Sequence, residues 1–304
     1  MWTSENNWYK WFYSSRPFGR QEGDDAFTTS FSCSFKPTGK SFKEEMLNAN
    51  ASILDHYPGL KPNLLFSGGA DSELILRSFL ELKVKPDVYI FRYENDYNIY
   101  DVSYAVVTCE MLNVPYKIID FSLKHFYEND AIRYAELAQI DRPRALPYCK
   151  LLEMVDGFPV MGASDMSPYR TDDDYSKQGT WMMRCWEHDI GWSKFLRSIN
   201  KQGVAEWFKW TPGLVLSYMK TDWFNNLTTD KYYGKLGSNS TKIIGYREAY
   251  KSLVDRTKKT GFEHIDSLVE EVQSELSNKF NGLPYRNTFD RKIQDLLDEI
   301  QKSA

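Results

Sequence analysis

Six consecutive residues, Ser67-Gly68-Gly69-Ala70-Asp71-Ser72, are of the types that hold phosphate. Two glycines let successive backbone N–H groups turn toward one point, and two serine hydroxyls can donate to the same anion. An aspartate among them can hold Mg²⁺ between phosphate oxygens. The flanking residues must position this group. Leu64-Leu65-Phe66 is a short apolar run of buried-strand type, and Glu73 to Leu80 carries its apolar residues at helical spacing. Strand, glycine turn and helix N-terminus together offer an anion both N–H donors and the positive end of a helix dipole. The same pattern also describes a Gly-Gly turn that does no more than cap a helix.

All six residues fit the S-G-G-x-D-S signature, so the stretch resembles the loop of the PP-loop ATP pyrophosphatases. The resemblance implies that Ser67, Gly68, Gly69, Ala70 and Ser72 grip the pyrophosphate of ATP while its α-phosphate is attacked. It also gives Asp71 a place at Mg²⁺ and in catalysis. A later strand ends in Gly162-Ala163-Ser164-Asp165, similar to a segment of asparagine-synthetase-like members. Gly162 is one residue out of register there, Met166 replaces the usual Glu, and Tyr169 comes early. By this resemblance Gly162 lies at the nucleotide and Asp165 is a second Mg²⁺ ligand; the alternative is an aspartate that caps the next turn. Arg256-Thr257-Lys258 resembles an R-x-K segment of asparagine and β-lactam synthetases, which implies that Lys258 sits on the reacting acyl-adenylate, where charge builds as AMP departs. A basic surface loop is the plainer reading of the same residues.

The elements around these groups alternate. After the first strand and helix, Asp87 to Tyr93 reads as a second strand, Asp101 to Asn113 as a helix, and Tyr116 to Phe121 as a third strand. Helices over Tyr134 to Ile140 and Tyr148 to Val155 lead to a fourth strand, Phe158 to Met161. Such alternation predicts an α/β fold, a parallel sheet with flanking helices, with ligands outside the carboxyl ends of its strands. Phe91 and Arg92 at the end of the second strand are then placed to line an adenine site. Arg142, Arg144 and Lys150, between the third and fourth strands, are cations that could neutralise phosphate.

Three regions follow. Residues 1–58 form an aromatic arm, a strand over Thr29 to Phe35, and a helix; 59–175 form the ATP-binding α/β domain; 176–304 form a mainly helical, tryptophan-rich region. Its last helices are expected over Thr241 to Val254, Ile265 to Phe280, and Phe289 to Ile300. Gly39-Lys40-Ser41 imitates a Walker A loop, but Ser34 stands where its first glycine is required. Ser41 with Glu44 is better read as a capping box.

Composition narrows the function. The 304 residues carry a net charge of −4, so no basic field attracts nucleic acid or anionic membrane. No membrane span or signal peptide is evident, and a cytoplasmic protein without membrane partners is expected. Cys33, Cys109, Cys149 and Cys185 contain no C-x-x-C, against a zinc knuckle or disulfide scaffold. Residue 2 is Trp, not the catalytic Cys of glutamine-dependent members, so the expected substrates are ATP with Mg²⁺, an acyl compound, and an amine or ammonia. Two other readings stay open. One is a tRNA- or nucleobase-modifying enzyme, with Cys149 as the cysteine of a thiolation. The other is a nucleotide-binding module without turnover.

Overall fold

The computed structural model describes residues 9–12, 28–31, 39–138, 140–162, 167–170, 181–221, 238–254, 256, 259–279, 288–292 and 298. The chain is α/β. Its centre is a four-stranded parallel sheet of β3 (Pro62–Leu65), β4 (Asp87–Tyr93), β5 (Tyr116–Phe121) and β6 (Phe158–Val160), in the order β5-β4-β3-β6. Beyond β6 the segment at Val204 continues the ladder, with Met161 N–H donating to the Val204 carbonyl at 2.8 Å.

Strand alternation sends side chains to two cores. Val88 and Ile90 of β4 enter one, while Tyr89, Phe91 and Tyr93 enter the other. The first core is closed by α1 (Phe42–His56), α2 (Ala70–Glu81), α3 (Ile99–Met111), α8 (Pro212–Met219) and α9 (Ser238–Ala249). The second is closed by α4 (Leu123–Asn129), α5 (Ala131–Ala138), α6 (Pro147–Met154), α7 (Glu187–Ser198) and α10 (Asp266–Lys279). β3 and most of β4 are buried on both faces, which explains their largely apolar runs, whereas β5 at the sheet edge is largely exposed.

Ser41 does open α1 by capping. Its hydroxyl accepts from Glu44 N–H at 3.3 Å, and the Glu44 carboxylate accepts from Ser41 N–H at 2.8 Å. Thr211 caps α8 in the same way, ahead of Pro212.

Three expectations change. The aromatic arm holds a strand of its own: β1 (Tyr9–Phe12) pairs antiparallel with β2 (Thr28–Phe31). The C-terminal region is mainly helical, and an antiparallel sheet of β7 (Ser167–Arg170), β8 (Trp181–Trp186) and β9 (Thr288–Lys292) pairs two of its segments with one from before residue 176. Residues 288–292, expected to start a helix, are therefore a strand. Phe289 begins a spacing that fits either period over so few residues, and the strand exists through pairing with a segment about a hundred residues earlier, which local pattern does not reveal. Among the described residues no helix is long and apolar enough to cross a membrane.

A buried polar hub joins α1, α2 and the turn before α8. Asn50, fully buried, donates to Ser78 Oγ and accepts from Trp207 Nε1, both at 2.7 Å. Asn50→Ala leaves the Trp207 indole N–H buried without its acceptor. We expect it to lower the unfolding free energy by about 2–4 kcal/mol in urea titration.

Candidate functional site

The sheet order makes β3 the point where the chain reverses direction of build-up. From β3 it adds β4 and β5 on one side, then returns to add β6 on the other. The loops after β3 and β6 thus face each other across the switch point, where α/β sheets open a ligand crevice. The first of these is Ser67 to Gly69. The second begins at Met161-Gly162, and Gly162 packs against α2: a Cβ there would lie 2.5 Å from Ile75 Cδ1 and 3.7 Å from the Asp71 carbonyl carbon.

Local sequence explains the loop's form. Gly68 has φ +74°, and a Cβ there would collide with the Asp101 carbonyl oxygen of α3 and lie 3.1 Å from Ala105 N. Only glycine satisfies both constraints. Gly69 is the N-cap of α2 and offers no side-chain acceptor to the first-turn amides, which a helix cannot satisfy from within. The two hydroxyls converge on this end. Ser67 Oγ and Ser72 Oγ are 3.3 Å apart, Ser67 Oγ accepts from Gly69 N–H at 3.3 Å, and Ser72 Oγ donates to the Gly69 carbonyl at 3.1 Å. Ser67 is exposed and Ser72 buried, so the hydroxyls form a short ladder from solvent to the helix start.

Asp71, in the first turn of α2, is half-buried and accepts at Oδ1 from the hydroxyl of Tyr246 at 2.6 Å. Tyr246 comes from α9 and is fully buried against Phe42 and Phe208. Below the loop, Glu73 is ion-paired to Arg77 at 2.7 Å and to Arg256, whose other terminal nitrogen donates to the Gly68 carbonyl. Burial lowers the affinity of both guanidiniums for their proton, yet an arginine stays charged in such a pair. Lys259 N–H donates to Asp101 at 3.3 Å, and its ammonium lies 4.6 Å from the centre of the Tyr100 ring.

One strand further along the same rim is a groove of about 500 Å³, lined by Arg92 to Asp96 and Asp120 to Ser122 at the ends of β4 and β5. Arg92 Nε donates to Asp120 at 2.7 Å, and this bond holds the Asp120 carboxyl below its ordinary range. Both oxygens of Glu94 accept from the first amides of α4, at 2.7 Å each. Asn95 and Asp96 follow in left-handed conformations, φ 52° and 56°.

The expected site residues divide accordingly. Ser67, Gly68, Gly69, Ala70, Asp71, Ser72 and Gly162 are brought together at the switch point. Arg92 lines the adjacent groove, but Phe91 does not: strand alternation turns its side chain into the second core, 8% exposed. Arg144 is paired with Asp266 at 2.5 Å and Lys150 with Glu153 at 2.9 Å. Neither makes a hydrogen bond or ion pair with residues 67–72, so both cations are balanced elsewhere. Arg142 is half-buried before the turn at Pro143–Ala145. Asp165 and Lys258 lie outside the described residues. Sequence reasoning missed Tyr246, Glu73 and Asp101, and it passed over Arg256 for Lys258. Only Arg256 lay in a segment already marked for chemistry.

No family model and no curated protein matches the chain. Among solved structures it is similar to NMN synthetase from Francisella tularensis, with 14% identity and a TM-score of 0.33 over 81% of this chain and 96% of that one. It is similar to NH3-dependent NAD synthetase from Campylobacter jejuni, with 12% identity and a TM-score of 0.32 over 80% and 96%. It is also similar to glutamine-dependent NAD+ synthetase from Acinetobacter baumannii, with 14% identity and a TM-score of 0.32 over 83% of this chain and 48% of that one. Likeness at this level says nothing of chemistry.

Two outcomes follow from this geometry. Gly68→Ala must both strain φ and push α3, and we expect it to cost about 3 kcal/mol of stability. Gly69→Ala, at φ −77° with only the Ser67 hydroxyl near its Cβ, is expected to stay within about 1 kcal/mol of the parent in the same thermal unfolding series. Burial pushes the Cys109 thiol up to about 12 and the Cys149 thiol well above its ordinary value. Since the thiolate is the nucleophile, both should resist a disulfide reagent at pH 8 in the folded protein and react on unfolding, as mapped by peptide mass.

Proposed function

We propose that this chain is an ATP-dependent, AMP-forming synthetase: it activates a carboxylate or amide-type substrate by adenylation, releases pyrophosphate, and passes the acyl group to an amine or ammonia. The observation that carries the reading is the uncapped start of α2 at the switch point, with the Ser67 and Ser72 hydroxyls converging on it. The resemblance of residues 67–72 to the PP-loop signature gives that anion site its reaction class. The asparagine-synthetase-like form of the reaction rests on the segments at Gly162 and Arg256 alone.

The roles follow from position. Gly69 N–H and the first-turn amides of α2 receive the β,γ-pyrophosphate, and Ser67 and Ser72 donate to its oxygens. As the bond from the α-phosphate to the pyrophosphate breaks, negative charge grows on the leaving group, where the helix dipole and these donors act most strongly. Among the described residues no group of three or more His, Cys, Asp or Glu could hold a metal by itself. Mg²⁺ binds through one or two carboxylates together with substrate phosphates. Asp71, oriented by Tyr246, would hold it, and the ion would supply charge neutralisation across the phosphate oxygens. The groove beside Arg92 takes the adenosine half or the acyl acceptor, on the same rim as the loop.

Two features tell against the nucleic-acid alternative. Trp192, Trp207 and Trp210 are buried in the cores and offer no stacking platform, and Cys149 is fully buried. A binding module without turnover is distinguished by products. Protein with ATP and Mg²⁺ is to be incubated with amino acids plus ammonia, and separately with tRNA, and followed by ³¹P NMR. We expect AMP and pyrophosphate in the first pool and their loss in Asp71→Asn. ADP with inorganic phosphate, or no turnover in either pool, would overturn the proposal.

A further inference from the structure

The peptide joining Gly68 to Gly69 is trans, so its C=O and N–H point in opposite directions. Arg256 donates from Nη1 to the Gly68 carbonyl. That oxygen therefore faces the interior, and Gly69 N–H faces the other way, toward Ser67 Oγ and the start of α2. Arg256 is itself held firmly. Its Nη2 pairs with Glu73, its Nε lies 3.4 Å from the Val254 carbonyl, and its guanidinium sits 5.3 Å from the centre of the Tyr104 ring. The side chain is 7% exposed and that of Glu73 2%. A cation so enclosed does not meet substrate directly; its grip on the loop is through one carbonyl.

That carbonyl matters because a Gly-Gly peptide has no Cβ on either side to oppose rotation of its plane. Rotated, it would aim a carbonyl oxygen where the anion binds and withdraw the N–H donor. We propose that Arg256 is a positioning residue of the phosphate loop, locking the Gly68–Gly69 peptide with its N–H toward the anion. This rests on the anion-binding reading of residues 67–72. Glu73 keeps Arg77 as a partner when Arg256 is removed, so the fold has a counter-charge left and the loss should be read in the loop.

The probe is inorganic pyrophosphate with Mg²⁺, titrated calorimetrically into the full chain. Wild type is expected to bind, and Arg256→Met to bind about tenfold or more weakly, as expected on misplacing a charge-assisted donor. Arg256→Lys, whose ammonium reaches one of the two acceptors, should fall between them. Millimolar guanidinium should restore Arg256→Met saturably. In ¹⁵N-resolved spectra the Gly69 amide proton should move downfield on pyrophosphate addition in wild type and not in Arg256→Met, a signature that lost packing would not produce. Equal affinity in wild type and folded Arg256→Met overturns the inference while leaving the anion site intact. If Arg256→Met does not fold, Arg256→Lys decides: weaker binding at an unchanged unfolding midpoint supports the inference, and unchanged affinity overturns it. Absence of pyrophosphate binding by wild type overturns the anion reading and this inference with it.

Discussion

Glu73 brings a carboxylate to 2% exposure in the first buried turn of α2, and the arrangement around it depends on how that charge is matched. A lone buried carboxylate is too costly to keep ionised. Arg77 answers from one turn further along the helix, and Arg256 from a segment more than 180 residues later. The second partner ties the C-terminal part of the chain to the first βα unit of the sheet. Such a triad adds little net stability compared with apolar packing, but removal of Glu73 would leave two buried guanidiniums without their carboxylate. Its value is directional: it fixes one loop against one helix.

The sheet supplies the other half of this placement. Leu64 of β3 enters the first core and Leu65 the second, so a one-residue slip against β4 would exchange the side chains that fill the two cores. The register of Leu65 opposite Tyr89 is thereby fixed, and with it the height at which the chain leaves β3 for the glycine turn. At Gly68 the Asp101 carbonyl of α3 then occupies the space a side chain would need, so only glycine fits. Gly162 restricts the opposite wall by the same means against Ile75. The crevice is therefore bounded by backbone and by core side chains, both of which are stiffer than surface groups.

What could be read from the sequence follows this division. The loop at 67–72 was legible because its chemistry is contiguous, and its strand and helix carry their own periodicity. The alternation of strands and helices to Met161 was legible for the same reason. Tyr246 was not, since a tyrosine on the inner face of a helix looks like any other core residue until its hydroxyl is seen on Asp71. Glu73 also went unnoticed: an acidic residue in the first turn of a helix is expected for the dipole alone. Phe91 and Arg92 were marked together, yet adjacent residues on a strand point to opposite faces, and only Arg92 reaches the groove. The strands β7 to β9 are stabilised by pairing across the chain, and nothing local announces them.

A glycine turn that is to bind an anion, as proposed for residues 67–72, faces a conflict that the surrounding residues resolve. It must present N–H donors outward, with glycines for close approach, and those glycines leave its peptides free to rotate. Rigidity has to come from outside the loop. Here α3 presses on Gly68 from one side, and Arg256 holds its carbonyl from below. Tyr246 holds the adjoining aspartate at a distance short enough to orient it. Two of these three restraints come from the C-terminal part of the chain. On the proposed reading the anion site and the helical region are one unit: whatever shifts α9 or the segment at Arg256 would also change the donors offered to the anion. Pre-organised donors act on developing charge without having to reorient at the moment of reaction. The burial of the restraining groups is what lets so permissive a sequence hold one conformation.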